Sequence, residues 1–335
     1  MFRGLFTAFL SLIILSNSSF ADDAPLTIRL STQTPPNGEV FQSMLHFKEY
    51  IETQSAGKMR IEIYDSGKLY DNDKIVAAVT SGKVEIGMVN LTRYADTIAV
   101  ADVFSLPFLF SDPQIEIRAR ANDSEIRRLI DSEILKSGAR VLWWIPEGSF
   151  VMLGKGQVIA TPEALSGRTV RTAGQTVTDT LKACGGIPKE VPATKQPDAY
   201  KADEVEIGMT SITAVLARKL FLYRDTITRT NHAFLNDVVV INDDYWKTLP
   251  ESQQKLLLSA AALANKEATD RMVDFESRAY NELVQKEGAK VVSLSNDELQ
   301  LWRICSSDVL TNFMERTGHG GHEIMTAYAK LLMTQ

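Results

Sequence analysis

Past its first two dozen residues the sequence has no apolar run near the roughly 20 residues that a membrane helix needs. It holds only two cysteines, Cys184 and Cys305, which excludes a scaffold built on disulfides. The sequence leaves their pairing open, and two separate buried thiols are the expectation. Histidine is scarce too, with four in 335 residues. A GxSxG nucleophile elbow, a Walker phosphate loop and a GxGxxG turn after a strand are all missing, so no standard hydrolytic or nucleotide chemistry can be assigned. Positive charge is not in excess: the formal net charge is −6, which disfavours nucleic acid and anionic membranes as partners. A basic pocket for a small anion remains compatible with that balance.

The exception to the missing apolar runs is the N-terminus, MFRGLFTAFLSLIILSNSSFADD, where Arg3 precedes an apolar stretch from Leu5 to Leu15 and then Ser19-Phe20-Ala21. That is an export signal with a small-x-small cleavage site, and the stretch is short for a bilayer span. Residues 1–21 are read as a signal peptide, with a soluble periplasmic chain starting at Asp22. An uncleaved anchor is the competing reading.

The remaining chain alternates strand and helix patterns. LTIRLS (26–31) and MRIEIY (59–64) read as strands, a helical stripe runs through Phe41, Met44, Leu45 and Ile51 to near Gly57, and residues 72–81 read as helix. VEIGM then appears at 84–88 and recurs letter for letter at 205–209. The second copy follows RTVRTA (168–173), read as a strand, and a helix near 175–184. RVLWWIP and FVMLGKG read as two further strands, and TPEALSG as a short capped turn of helix. Each VEIGM copy ends in a polar residue, Asn90 or Ser211, at the carboxyl edge of a strand, where open α/β sheets bind ligands. The echo is best explained by two similar lobes facing a cleft. DVVVIN (237–242) reads as a buried strand. After LPESQQK, apolar residues from Leu257 to Leu283 recur at steps of three or four, a helix of about 50 Å. The fold class is therefore α/β, two-lobed and hinged. The first lobe is expected at 22–148 with 237–276, the second at 149–236 with 277–335.

The run GKMRIEIYDSGKLYDNDKIVAAVTSGKVEIGMVN, then SLPFLFSD (105–112), IATPEALSGRTVRTAG (159–174) and TNHAFLNDVVVINDDYWKTLPESQQ (230–254), resembles DctP-type solute-binding proteins in the family's order. These are the extracytoplasmic receptors of TRAP (tripartite ATP-independent periplasmic) transporters. The resemblance implies a periplasmic binding protein-like fold with crossing strands and a long helix spanning both lobes. It also implies a small organic-acid ligand closed in the cleft, delivery to a small and a large membrane subunit, no cofactor and no catalysis. A monomer is expected.

On the same resemblance Arg171 is the carboxylate ligand, a role that suits the planar fork of a guanidinium. An exposed strand arginine is the bland alternative. Arg93 lines the pocket in some relatives, and a helix-capping role competes with that. Thr32, Gln33 and Asn72 occupy pocket-lining loop positions, each otherwise an ordinary turn residue. Asn90 and Ser211 face the cleft, Asn236 reaches it from the hinge, and one of Trp143, Trp144 and Phe150 stacks on the ligand. Phe104 and Phe108 read as packing residues. The sequence departs from the family where sialic acid receptors carry a second arginine: Val151 stands there, between Phe150 and Met152. KADEVEIGMTS and VPATKQPDAY also depart from the usual text, so the second lobe's contacts are unusual.

Two other classes compete: a periplasmic hydrolase, for which no nucleophile–base pair can be named, and a ligand sensor. A sensor that presents its ligand to a membrane signalling protein would have the same pocket. HGGHE (319–323) places His319, His322 and Glu323 together, but a structural zinc needs more ligands, and the double glycine reads as a helix-ending turn. No metal is assigned.

Overall fold

A computed structural model of the chain describes residues 24–333, and the expected signal peptide lies outside the described residues. Ten strands are present: β1 (Leu26–Ser31), β2 (Met59–Tyr64), β3 (Ile86–Asn90), β4 (Ala139–Gly154), β5 (Thr169–Thr172), β6 (Ile187–Glu190), β7 (Gly208–Ser211), β8 (Thr226–Arg229), β9 (Phe234–Asn242) and β10 (Lys290–Ser293). The helices of the first half are α1 (Glu39–Gln54), α2 (Ile75–Thr80), α3 (Pro113–Ala119), α4 (Glu125–Lys136), α5 (Gln175–Ala183) and α6 (Gln196–Lys201). Those of the second half are α7 (Ile212–Ala217), α8 (Asp243–Thr248), α9 (Glu251–Gln285), α10 (Asn296–Cys305), α11 (Val309–Thr317) and α12 (His319–Met333).

One mixed sheet runs through the molecule in the order β10-β8-β4-β9-β3-β1-β2, with β7 also on β4. Two lobes arise because β4 changes partners along its length. Residues 139–149 pair antiparallel with β9, and residues 150–154 pair with β7 and β8. The sequence reads as two strands here, whereas the chain forms one. A register shift between Pro146 and Gly148 bulges the strand at Glu147 without ending it. Gly148 takes φ 89° in the bulge. Glu276 from α9 holds that point by accepting hydrogen bonds from Ser149 N at 2.6 Å and Ser149 Oγ at 3.0 Å.

Each lobe carries apolar cores on both faces of its part of the sheet. Trp143 packs with Phe47 and Val239 on one face, and its neighbour Trp144 packs with Phe104 and Val238 on the other. Strand alternation thus buries both tryptophans in cores and leaves neither to stack on a ligand. Helix α9, about 52 Å long at 1.5 Å per residue, buries Leu257, Ala261 and Ala264 in the first lobe and Ala279, Tyr280 and Leu283 in the second. The C-terminal helices fold back: Val309, Phe313, Ile324 and Ala327 lie in the core with Phe104. Gly320 and Gly321 lie inside α12, not in a terminating turn as expected, and Gly318, at φ 53°, ends α11.

The VEIGM copies occupy matching places. β3 lies between parallel β1 and antiparallel β9. β7 lies antiparallel to β4, and its approach at Ile207 bridges Val170 of β5 in parallel. The shared glycine exists for close helix packing. A Cβ on Gly87 would lie 2.7 Å from Ile75 and Val79 of α2, and one on Gly208 would lie 2.8 Å from the Tyr200 hydroxyl of α6. Gly208→Ala also meets the Leu153 Cβ at 3.0 Å, backed by core on both sides. It is expected to lower unfolding free energy by about 1–3 kcal/mol, read by chemical denaturation.

The two cysteines correct the expectation of separate thiols. Cys184, which caps α5, and Cys305, at the end of α10, form a disulfide with Cα atoms 5.0 Å apart. Only the packing of α10 onto the second lobe, with Trp302 buried beside Leu165 and Leu181, brings them together.

Candidate functional site

The carboxyl ends of β3 and β7 face the crossing of β4 and β9. Each ends in a helix cap: Asn90 Oδ1 accepts from Thr92 N at 3.2 Å, and Ser211 Oγ accepts from Ala214 N at 3.3 Å. Each cap also reaches an acid on a crossing strand. Asn90 Nδ2 donates to Asp237 Oδ1 at 3.0 Å, and Ser211 Oγ donates to Glu147 Oε2 at 3.1 Å. The bulge in β4 aims Glu147 at this point. Burial, followed by the charge and hydrogen bond of Glu147, raises the pKa of Asp237 well above the usual carboxylate range.

Arg171 on β5 is 3% exposed. Its Nε donates to the Val191 carbonyl at 3.1 Å and its Nη1 to the Met209 carbonyl at 3.0 Å, and no carboxylate pairs with it among the described residues. Arg224, equally buried, shows the difference. It pairs with Asp203 at 2.9 Å and donates to the carbonyls of Tyr200, Tyr223 and Val205. Arg224 is thus a structural arginine, whereas the Arg171 charge is uncompensated. Burial first, then the charges of Arg93 and Arg218, lower the Arg171 pKa to about 10, so it stays protonated at neutral pH. An unpaired buried ion costs several kcal/mol.

Arg93, in the turn after β3, ion-pairs with Asp73 at 3.2 Å and with Glu190 of the other lobe at 2.5 Å. Its Nε and Nη2 are buried without partners. Gln33 Oε1 and Gln196 Nε2 are likewise buried and unpartnered. The lobes also meet where Thr176 N, at the start of α5, donates to buried Asp102 at 2.8 Å, and where Asn37 Nδ2 donates to the Ala217 carbonyl at 3.3 Å. Between them lies a small open cavity lined by Thr34, Gly38, Glu147, Thr213, Ala217 and Arg218.

The expected residues therefore divide. Asn90 and Ser211 reach the acids at the crossing, Asn72 joins them by accepting from Asn90 N at 3.5 Å, and Arg171 and Arg93 stand close enough for their charges to interact. Gln33 is buried at the carboxyl edge of β1, while the Thr32 hydroxyl turns to Met88 Sδ at 3.3 Å. Asn236 is placed elsewhere. It neighbours Asp237 on β9 and so faces the opposite side, where Nδ2 donates to Glu116 at 3.1 Å. Phe150 does not reach the cleft either: it is wholly buried with Met152 and Ile159 and stacks on His232, ring centroids 5.4 Å apart. Glu147, Asp237, Arg218 and Gln196 went unnoticed in the sequence. The available signal was an Asp opening an otherwise apolar strand and a Glu-Gly pair inside a strand pattern.

His232 beneath Phe150 gives a pH expectation. Burial lowers its pKa from 6.5 to about 4. The unfolded chain takes up a proton that the folded one refuses, so stability falls as pH drops from about 6.5 to about 4, by about 3 kcal/mol over that window. Denaturant titrations at pH 7.5 and pH 4.5 should show a smaller loss in His232→Gln than in the parent.

Comparison with known proteins places the chain in a family. The family model described as bacterial extracellular solute-binding protein, family 7 (DctP), matches residues 30–317. The protein belongs to that family. It is 21% identical over 316 residues to the C4-dicarboxylate-binding periplasmic protein DctP of Shewanella loihica, covering 93% of this chain and 92% of that one. Its fold matches DctP7 of Bordetella pertussis, an extracytoplasmic solute receptor binding pyroglutamic acid, with TM-score 0.85, 18% identity, and 90% and 99% of the two chains covered. It also matches the periplasmic ectoine-binding protein of the TeaABC TRAP transporter of Halomonas elongata, with TM-score 0.85, 19% identity, and 92% and 100% covered. At those identities the two structures speak for the two-lobed fold.

Proposed function

We propose that this protein is a periplasmic receptor that binds a small organic acid between its lobes and delivers it to the membrane subunits of a TRAP transporter, with no covalent chemistry. The observation that carries this reading is Arg171, a protonated guanidinium 3% exposed without a carboxylate partner. In this reading Arg171 grips the ligand carboxylate, Arg93 offers its Nε and Nη2 donors from the facing lobe, and Asn90, Ser211, Asn72 and Gln33 supply polar contacts. The DctP relative and the two structural neighbours bind small carboxylate-bearing solutes by their names, which agrees with it. Residues 1–21 act as the export signal, and the mature chain works as a monomer. The expected lobe division, 22–148 with 237–276 against 149–236 with 277–335, is kept here except at its C-terminal end. Helices α11 and α12 go with the first lobe, whose core they share.

Thermal-shift screening of dicarboxylates, oxo acids, hydroxy acids, sugar acids and aromatic acids tests the reading. A true ligand at 100 times its Kd adds about 2.7 kcal/mol. Stabilisation by neutral sugars or metal ions alone would overturn it. Small-angle scattering with the same ligand should show a smaller radius of gyration as the lobes close.

A further inference from the structure

The acid pair at the crossing is not needed to hold a carboxylate, and it opposes one. Glu147 and Asp237 come from the two strands that join the lobes, β4 and β9, which pair here through Ile145–Asp237 and Pro146–Asn236, and Glu147 helps raise the pKa of Asp237. Their other contacts are neutral donors: Asn90 Nδ2 to Asp237 and Ser211 Oγ to the Glu147 carboxylate, with Thr213 Oγ1 donating to the Glu147 carbonyl at 2.9 Å. Asp237 Oδ2 is buried with no protein hydrogen-bond donor. Arg218 faces both acids across the cavity that Glu147 lines, with no ion pair to either within 4 Å among the described residues. Burial first, then the neighbouring Glu147 charge, raises the Asp237 pKa well above the usual carboxylate range, which favours its neutral form. Arg171 and Arg218 then bring two positive charges that no ion pair meets among the described residues, whereas Arg93 is already met by Asp73 and Glu190, and the acids bring negative charge. A single ligand carboxylate balances that set, whereas a second would lie against the acids. The surface the pair offers to a ligand is carboxyl oxygen, an acceptor.

We infer that the cleft takes an acid with one carboxylate, held by Arg171, whose other polar end is a hydrogen-bond donor, N–H or O–H, presented to the Glu147–Asp237 pair. This rests on the organic-acid reading and narrows it. Discrimination of this kind is strong because a site built to accept from a donor leaves its own polar groups unpaired when the donor is missing.

The test is calorimetric titration of the full mature chain with four classes of acid, each spanning three to eight carbons. They are N–H acids such as proline and pyroglutamate, O–H acids such as lactate and 2-hydroxyisovalerate, donor-free acids such as cyclopentanecarboxylate, and dicarboxylates such as succinate. The tightest ligand is expected in the first or second class, about 10-fold or more ahead of the donor-free and dicarboxylate classes, and which of the two leads identifies the donor. Glu147→Gln should weaken that ligand by about 10- to 100-fold and narrow its lead over dicarboxylates. The parent ranking needs no variant, so it decides the matter even if Glu147→Gln does not fold. A dicarboxylate or donor-free acid that binds as tightly as the best donor acid overturns the inference and leaves the organic-acid reading standing. So does an unchanged affinity in folded Glu147→Gln. Silence from all four classes removes both.

Discussion

Arg171→Ala is expected to lower ligand affinity by about 2–5 kcal/mol, roughly thirty- to several-thousand-fold, while the protein stays folded. The size follows from where the side chain sits. It is buried and charged, and among the described residues its side chain bonds only the Val191 and Met209 carbonyls, so its removal leaves a ligand carboxylate closed in a dry cleft without its cation. The two carbonyls it releases limit the stability cost to about that of two ordinary hydrogen bonds. Arg171→Lys keeps the charge and loses the paired geometry, so it should recover only part of the affinity. Arg224→Ala is the contrast. Losing the Asp203 ion pair and three carbonyl contacts should cost melting temperature and leave the dissociation constant nearly unchanged. Calorimetric titration beside a melting curve separates the two patterns. Full affinity in well-folded Arg171→Ala would falsify the carboxylate role.

Reduction or Cys184→Ser should produce the largest stability change. The disulfide closes a sequence separation of 121 residues, for which the chain-entropy relation gives about 5 kcal/mol, and measured losses of native disulfides fall at about 2–5 kcal/mol. The loss should appear in denaturant melts with and without reductant, and the double variant Cys184→Ser with Cys305→Ser should ignore reductant. Because the bond ties α10 to α5, away from the β4–β9 crossing, ligand affinity should hold at temperatures where the reduced protein remains folded. A reductant-insensitive melt of the parent would sink the prediction.

Much of the architecture was legible because it rests on local periodicity. Period-two runs marked β1 and β2, the helical stripe from Leu257 to Leu283 marked α9, and the repeated VEIGM marked two equivalent strand edges. Even the shared glycine could be read as a constraint, although only packing shows that α2 and α6 impose it. Where the reading broke, a long-range contact decided. RVLWWIP and FVMLGKG became one strand because β9 pairs across their junction and Glu276 of α9 clamps the bulge. Phe150 and Asn236 left the candidate group because core packing against Met152 and Ile159 takes up the first, and strand alternation turns the second to the face away from the crossing.

The sequence by itself determined the α/β class, the paired lobes, the spanning helix and the candidacy of Arg171, all of which depend on neighbours within a few residues or on a recognisable order of blocks. Only the tertiary structure decided that Cys184 and Cys305 join and that Arg171, unlike Arg224, is a buried cation with no ion pair among the described residues. The meeting of Glu147 and Asp237 on the strand crossing was also decided there. The physical reason is the same each time. Charge state, desolvation and covalent pairing depend on which groups come within a few ångströms, and for these residues the partners lie tens to hundreds of positions away along the chain.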